Sequence, residues 1–120
     1  MKIHTGCDVE SVERFYELLK KEHFCQRIFT EAERAHIDAS GHKEETAAGI
    51  YCAKEAISKA LGRGLFGLQP QELGLVWDEK GAPQASLTGS AAVQYGHLQL
   101  AVSISHTKET AFATCMALEE

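Results

Sequence analysis

The stretch EETAAGIYCAKEAISKAL, residues 44–61, decides how this chain is expected to fold. Small and apolar side chains recur in this stretch at helical spacing, and they cover more than one side of the helix that they predict. Such a helix has to pack against other elements over much of its circumference. Gly62 and Gly64 follow the last apolar residue and are expected to end the helix. The sequence therefore predicts a long buried helix near the middle of the chain.

Shorter patterns on either side of this helix predict the remaining elements. Before it we expect a strand over 2–9, helices over 11–22 and 30–36, and a loop over 38–43. The helix that starts after Thr30 opens with a capping-box pattern. After the long helix we expect strands over 73–78, 83–87, 98–105 and 110–118, with a short helix over 90–95. This order favours an α+β fold with an antiparallel sheet, formed by a single domain over residues 1–120.

Length, charge and composition exclude several classes of protein. The 120 residues fit one ordinary domain, and a hydrophobic fraction of 44% is typical of a globular protein. A net charge of −5 argues against a general nucleic-acid binder, whose affinity depends on neutralising many phosphates. The N-terminus lacks a secretory pattern, and no stretch approaches the roughly 18 apolar residues of a membrane span. We therefore expect a cytoplasmic protein that binds neither nucleic acid nor membrane.

The cysteines and histidines do not form a metal-binding pattern. The four cysteines, at positions 7, 25, 52 and 115, lack the close paired spacing of a redox centre or a zinc ribbon. The six histidines are scattered without the spacing of a zinc helix. We expect reduced, mostly buried thiols, and surface or structural imidazoles.

Two distant segments place acidic groups where a metal bound to phosphate needs them. Asp8 and Glu10 lie two residues apart in the predicted first strand, so both point to the same face. Glu55 and Lys59 lie one turn apart on the long helix. If strand and helix meet, these groups form a seat for a hard cation and a phosphate. The alternative is a solvated ion pair between Glu55 and Lys59, with Asp8 as the cap of the next helix.

The end of the strand over 98–105 is a second candidate for binding phosphate. Ser103, Ser105, His106 and Thr107 place hydroxyls and an imidazole beside Lys108. The alternative is a polar turn that connects two strands. On the long helix, the charge of Lys54 also needs a partner or a polar cleft, because an unpaired buried charge is very costly.

Four blocks of sequence resemble the holo-acyl-carrier-protein synthases, the small class of 4′-phosphopantetheinyl transferases. They are GCDVESVER at 6–14, RIFTEAE at 27–33, AKEAISKALG at 53–62 and VSISHT at 102–107. The resemblance spans most of the chain, and the third block is the most specific. It implies the 4′-phosphopantetheinyl transferase fold. The implied reaction moves the phosphopantetheine arm of coenzyme A onto a serine of apo acyl carrier protein, for fatty acid and lipid biosynthesis, and releases adenosine 3′,5′-bisphosphate.

The resemblance also implies roles for individual residues. Asp8 and Glu55 would bind Mg²⁺, with Glu10 as a further metal-binding acid, and Lys59 would neutralise the coenzyme phosphates. Coenzyme contacts are implied for Gly62, Ser105, His106 and Thr107. The acidic carrier would dock on basic residues of the early helices, namely Arg14, Lys21 and Arg27. Family members of this length generally form homotrimers with coenzyme A between neighbouring subunits.

The chain departs from the family pattern at two positions that carry a basic residue in many relatives. At the position of Ile50, before the catalytic helix, many relatives have an arginine. At the position of Ala82, in a turn, they commonly have a lysine or arginine. The negative net charge also weakens the picture of a basic partner for acidic carriers. Two other functions are compatible with the same residues. One is a non-catalytic module that binds coenzyme A and carrier, and the other is a Mg²⁺-dependent nucleotide hydrolase.

Overall fold

The computed structural model describes residues 1–62 and 67–120 of the chain. The first half contains strand β1 followed by four helices: β1 (Lys2–Ser11), α1 (Arg14–Leu18), α2 (Glu22–Ile28), α3 (Glu31–Ala39) and α4 (Lys43–Ala60). A 3₁₀ turn (Pro70–Glu72) opens the second half, and it is followed by β2 (Leu73–Trp77), β3 (Pro83–Leu87), α5 (Gly89–Tyr95), β4 (Gln99–His106) and β5 (Thr110–Glu119). None of the helices among the described residues is both long and apolar enough to cross a membrane.

The main sheet has three antiparallel strands in the order β1, β5, β4. β1 pairs with β5 along its whole length, from Lys2 opposite Glu119 to Ser11 opposite Thr110. Side chains of β5 alternate between a buried face of small residues and an exposed face that carries Phe112 and Met116. The sequence therefore specifies which face of the sheet is covered, and α4 covers it.

Helix α4 confirms the long buried helix predicted over 44–61, with its bounds shifted by one residue. Its alanines and isoleucines pack on the main sheet and on the other helices. Gly62 follows the helix with a φ of 76°, and its N–H donates to the Lys59 carbonyl oxygen over 3.0 Å. That left-handed conformation ends the helix and suits a residue without a side chain. Gly64, the second predicted terminator, lies outside the described residues.

Gly6 sets the distance between β1 and α4. A Cβ atom at this position would overlap the Ala56 carbonyl oxygen and lie 2.7 Å from the Ala60 nitrogen. Only glycine permits so close an approach of strand and helix backbone. This contact brings the residues after Gly6 on β1 beside the last turns of α4.

The second sheet is a hairpin formed by β2 and β3, as the sequence predicted. Its turn is closed by Asp78, whose carboxylate accepts from the Lys80 and Ala82 N–H groups at 2.9 Å each. Gly81 adopts a φ of 83° within this turn. The hairpin β4–β5 and the short helix α5 also confirm the predicted elements.

The single helix predicted over 11–22 is wrong. β1 continues to Ser11, and two short helices follow, with Lys21 in an extended conformation between them. The end of α1 is tightened by a hydrogen bond from the Lys21 N–H to the Leu18 carbonyl oxygen at 3.0 Å, three residues apart. The break lets Phe24 on α2 turn towards Phe15, so that both aromatic rings pack together. Tertiary packing has overridden the local helical period here.

The predicted capping box at Thr30 is present and belongs to a buried polar cluster. Glu33 donates its N–H to the Thr30 hydroxyl at 3.2 Å, and its carboxylate accepts from the Thr30 N–H at 2.9 Å. The same carboxylate pairs with Lys54 at 2.8 Å and accepts from the Leu75 N–H at 2.7 Å. Lys54 donates further to the Pro70 carbonyl oxygen at 2.7 Å. The partner predicted for Lys54 is therefore Glu33, and this ion pair is structural because it joins α3, α4 and β2.

Candidate functional site

Asp8 and Glu10 lie on the face of β1 that packs against α4. The side chain of Asp8 is 14% exposed and that of Glu10 is 17% exposed, although both belong to a strand at the sheet edge. Their shared face confirms the period-two prediction for this strand. Asp8 lies in mid-strand and caps no helix, so that alternative for Asp8 is wrong.

Lys59 connects the two segments that the sequence singled out. Its ammonium donates to the Cys7 carbonyl oxygen at 2.9 Å and to Asp8 Oδ1 at 3.4 Å. The Lys59 side chain remains 51% exposed, so the ammonium can also meet a ligand from solvent. The contact spans strand and helix and depends on the close approach at Gly6.

Three carboxylates share one region of negative charge. Burial raises the pKa of Glu55, and the charges of Asp8 and Glu10 raise it further. A hydrogen bond from Tyr51 and the charge of Lys59 act in the opposite direction. Glu10 also contacts the Arg14 guanidinium, so its charge is partly neutralised. Strand and helix therefore do meet, as the sequence analysis required.

The residues fit a hard cation. Asp8 Oδ2 is buried and has no hydrogen-bond partner among the described residues. It is therefore an unsatisfied acceptor beside other carboxylates. No group of three or more His, Cys, Asp or Glu side chains in residues 1–62 and 67–120 is arranged to hold a metal. Mg²⁺ commonly uses one or two protein carboxylates and takes its remaining ligands from water and phosphate. Asp8 and Glu55 supply the two protein carboxylates that such a Mg²⁺ site needs.

Tyr51 and Cys52 border this cluster, and the sequence analysis assigned them no role. Burial, followed by the charges of Glu55 and Glu10, raises the pKa of Tyr51 to about 12. Burial, followed by the charges of Asp8 and Glu10, raises the pKa of Cys52 to about 12, and its thiol donates to the Ala111 carbonyl oxygen at 3.5 Å. Tyr51 could have been recognised from its position one turn before Glu55. All four cysteines are free thiols, and three of them are buried.

The 105–107 segment lies at the end of β4, on the other side of β5 from β1. His106 Nδ1 is 3.2 Å from Glu45 Oε2, near the start of α4, and it lines a pocket of about 190 Å³. Ten residues of helix separate Glu45 from Glu55, which corresponds to about 15 Å. Thr107 organises the β4–β5 turn, because its hydroxyl accepts the Thr110 N–H at 3.1 Å. In the main sheet, β5 separates the two phosphate-binding candidates, and Glu10 and His106 lie opposite the same residue of β5, Ala111.

Gly62 and the two residues that depart from the family pattern lie apart from the carboxylates of Asp8, Glu10 and Glu55. Gly62 lines a pocket of about 280 Å³ that also contains His97. Ile50 is 1% exposed and lines the pocket of His106, where it offers no charge. Ala82 lies in the β2–β3 turn.

The three basic residues predicted to bind the carrier are all exposed. Arg14 begins α1, Lys21 lies between α1 and α2, and Arg27 lies in the last turn of α2. Arg14 points back to Glu10 and lies 6.0 Å from the centre of the Phe15 ring. The candidate carrier surface thus directly adjoins the acidic cluster.

Comparison with known proteins identifies the class to which this fold and site belong. The chain belongs to the 4′-phosphopantetheinyl transferase superfamily, whose family model matches residues 4–115. The holo-(acyl-carrier-protein) synthase of Caldanaerobacter subterraneus subsp. tengcongensis is 37% identical, over 98% of this chain and 96% of its own length.

Solved structures agree with this assignment. The holo-(acyl-carrier-protein) synthase from Bacillus anthracis, in complex with CoA (3′,5′-ADP), has a TM-score of 0.82 at 29% identity, covering 98% of this chain and 96% of its own. The enzyme from Helicobacter pylori, in complex with coenzyme A, has a TM-score of 0.85 at 27% identity, covering 95% of this chain and 99% of its own. The predicted family and the predicted α+β fold are confirmed.

Proposed function

We propose that this protein transfers the 4′-phosphopantetheine group of coenzyme A to a serine of apo acyl carrier protein. The supporting observation is the convergence of Asp8, Glu55 and Lys59 from β1 and α4. Two carboxylates and one ammonium can hold a cation and a pyrophosphate side by side. Relatives matched over nearly their whole length carry the name of this activity.

Asp8 and Glu55 would hold Mg²⁺, and Glu10 would supply a further acidic group. When bound, the ion would neutralise charge on the pyrophosphate of coenzyme A. Lys59 would place its ammonium against the same phosphates, at the exposed edge of the cluster. Phosphoryl transfer is mainly positioning and charge stabilisation, and these residues supply both.

The carrier serine would attack the phosphorus that bears the pantetheine arm. A new phosphorus–oxygen bond to serine forms as the bond to the leaving phosphate oxygen breaks, and adenosine 3′,5′-bisphosphate departs. Water in the site would accept the serine proton in preference to Glu55, because metal ligation lowers the basicity of that carboxylate. No covalent enzyme intermediate is required.

The coenzyme site would be shared between subunits of a homotrimer. In its own chain His106 pairs with Glu45 and not with Asp8 or Glu55, and a neighbouring subunit could present Ser105, His106 and Thr107 to those acids. The outer face of the main sheet supports association, because it carries exposed apolar side chains. They are Ile3, Val9, Phe112 and Met116, which are 57%, 59%, 42% and 50% exposed.

The carrier would dock on the surface formed by Arg14, Lys21 and Arg27. Acidic carriers would be attracted to these residues despite the negative net charge of the protein, because local charge governs encounter. This reaction would serve fatty acid biosynthesis in the cytoplasm.

Mass spectrometry of a carrier incubated with the protein, coenzyme A and Mg²⁺ tests the proposal. The expected result is a carrier heavier by one phosphopantetheine group. Cleavage of coenzyme A with an unmodified carrier would instead support a hydrolase. Binding of coenzyme A and carrier without turnover would support a non-catalytic module.

Substitution of the acids tests their assignment as metal ligands. We expect Asp8→Ala and Glu55→Gln each to lower Mg²⁺-dependent transfer at least about 100-fold, because a ligand of the ion is lost. Circular dichroism should show that both variants remain folded. Near-normal transfer by either variant would refute the role of that residue.

A further inference from the structure

The pocket that contains His106 has an aromatic and apolar lining. The rings of His36 and Trp77 stack in parallel, with centroids 3.7 Å apart and 7° between their planes, and both residues border the pocket. Ile50 and Ile104 add apolar surface from α4 and β4. Adenine is the flat aromatic group of coenzyme A, and bases bind well beside aromatic side chains. The volume of about 190 Å³ is below the roughly 300 Å³ of pockets that enclose a drug-sized ligand, so this pocket suits one end of the coenzyme.

The charge of this pocket does not favour a phosphate. Among the described residues, its lining contains Glu45 but no lysine or arginine. His106 Nδ1 lies 3.2 Å from Glu45 Oε2, so a positive charge on the imidazole is already paired within the chain. A phosphate monoester carries about −1.5 to −2 charges at pH 7. Such a group would find little neutralisation here, and it would be repelled by the Glu45 carboxylate.

Both positions at which the chain departs from the family pattern belong to this pocket. Ile50 lines it directly and is 1% exposed. Ala82 lies between Gly81 and Pro83 in sequence, and both of these neighbours line the pocket. Many relatives have a basic residue at each of the two positions. The two departures are distant in sequence, yet each leaves a neutral side chain at the same place in the fold.

We propose that this pocket binds the adenosine end of the coenzyme without recognising its 3′-phosphate, so that the protein uses 3′-dephospho-coenzyme A about as well as coenzyme A. The inference rests on the proposed function for the reaction, and it names the substrates that the same site accepts. With the dephosphorylated coenzyme, the carrier serine forms the same bond to the phosphorus that bears the pantetheine arm. The bond from that phosphorus to the leaving phosphate oxygen breaks, the serine proton passes to water, and adenosine 5′-monophosphate departs.

Transfer kinetics with the two coenzymes test the inference. We expect kcat/KM for 3′-dephospho-coenzyme A to be at least about one fifth of that for coenzyme A, because the missing phosphate removes no charge-assisted hydrogen bond to a lysine or arginine. Calorimetric titration of the full-length protein with adenosine 5′-monophosphate and adenosine 3′,5′-bisphosphate measures the same discrimination without turnover. The two nucleotides should bind with affinities that agree within the same factor. A larger preference for the 3′-phosphorylated compound in either measurement would overturn the inference.

A charge introduced at Ala82 provides a matched set of variants. This side chain is exposed, so Ala82→Lys should fold as wild type does. We expect it to raise the preference for coenzyme A over 3′-dephospho-coenzyme A about tenfold, because an ammonium beside the pocket can pair with the phosphate. Ala82→Gln has a long side chain without the charge and should leave the preference unchanged. Val93→Lys places the same charge on α5, at an 86% exposed position outside the pocket lining, and should also have no effect. An unchanged preference in Ala82→Lys, or an equal rise in Val93→Lys, would overturn the assignment to this pocket.

The proposed function and this inference can fail separately. A protein that modifies the carrier with coenzyme A but not with 3′-dephospho-coenzyme A overturns only the inference. A protein that leaves the carrier unmodified with both coenzymes overturns the transferase, and the nucleotide titration then decides the inference by itself. Similar affinities for the two nucleotides would support the pocket as described. Absence of binding by both nucleotides would overturn it.

Discussion

Arg14 stands between two acidic partners. Its guanidinium contacts Glu10 at the edge of the acidic cluster, and the same exposed side chain belongs to the proposed carrier surface. The Arg14 side of this ion pair is 52% exposed, and ion pairs at the surface contribute little, about 0–1 kcal/mol, so the contact with Glu10 does not prevent Arg14 from meeting a carrier. The residue therefore connects recognition of the carrier with the charge balance around the carboxylates.

Reversal of this charge should weaken recognition of the carrier. We expect Arg14→Glu to raise the carrier KM about tenfold at low ionic strength, because an attractive charge becomes repulsive. The difference from wild type should shrink in high salt, where the interaction is screened. Steady-state kinetics at two salt concentrations measure both effects, with Arg14→Gln as the milder control. An unchanged KM would refute the docking surface.

At the residue scale, the sequence could predict the acids but not their surroundings. Asp8 and Glu55 were recognisable because a strand period and a family block placed them. Tyr51 was overlooked, although it lies one turn before Glu55, since a tyrosine in an apolar helix pattern is expected to be a core residue. The pairing of His106 with Glu45 joins positions 61 residues apart in sequence, and no local pattern encodes it.

The close approach of β1 and α4 joins the elements that carry the acids. Any group that separates them also separates Lys59 from Asp8. Gly6 controls this distance, because its missing side chain leaves room for the backbone of the helix.

A methyl group at this position should therefore cost both stability and activity. We expect Gly6→Ala to lower the free energy of unfolding by about 1–3 kcal/mol, as overpacking does, and to reduce transfer. Urea denaturation measures the first effect. Gly41→Ala is the matched control, because no described atom lies within 4 Å of a Cβ built there, and its stability should stay near that of wild type. Equal stability of both variants would contradict this account.

The buried ion pair between Lys54 and Glu33 holds α4 against α3 and β2. We expect Lys54→Met to lower the free energy of unfolding by about 3–5 kcal/mol, because the Glu33 charge is left buried without its counter-ion. The double variant with Glu33→Gln should recover part of this loss, since no uncompensated charge remains. Urea denaturation followed by circular dichroism compares the three proteins. A Lys54→Met protein as stable as wild type would be inconsistent with this role.

At the element scale, prediction succeeded where one local signal dominated. The capping box, the glycine after α4 and the Asp78 turn each specify structure within a few residues. The helix predicted over 11–22 failed because its helical period continues across a break that is stabilised by aromatic packing. The partner of each strand of the main sheet was only partly predictable. The β4–β5 hairpin follows from a short turn, whereas β1 finds β5 across almost the whole chain.

For the whole molecule, the separation of the two phosphate-binding candidates determines how many chains are needed to form one coenzyme site. Glu55 and Lys59 lie in the second half of α4, whereas His106 contacts Glu45 near its start. If one subunit supplies the acids and its neighbour supplies His106, two defective chains can form an intact site together.

Refolding two variants together tests the proposed sharing of the site. We expect Asp8→Ala and His106→Ala proteins to be weakly active alone and to recover about a quarter of wild-type transfer when refolded together in equal amounts, because random assembly gives that share of intact sites. A mixture of Asp8→Ala with Glu55→Gln is the control. It should recover nothing, because both acids must come from one chain. No recovery in the first mixture would contradict a shared site.

The pairing of β1 with β5 also determines when the protein can become active during synthesis. β5 is the central strand, so both β1 and β4 lack a main-sheet neighbour until residues 110–119 have been made. Folding thus depends on a contact between residues 2–11 and residues 110–119, which are far apart in sequence, and this slows the search for the native state. On the ribosome, Asp8 is made before β5 and waits for translation to reach residues 110–119. A prematurely terminated product would carry the acids, but it would lack the sheet that holds Asp8 against α4.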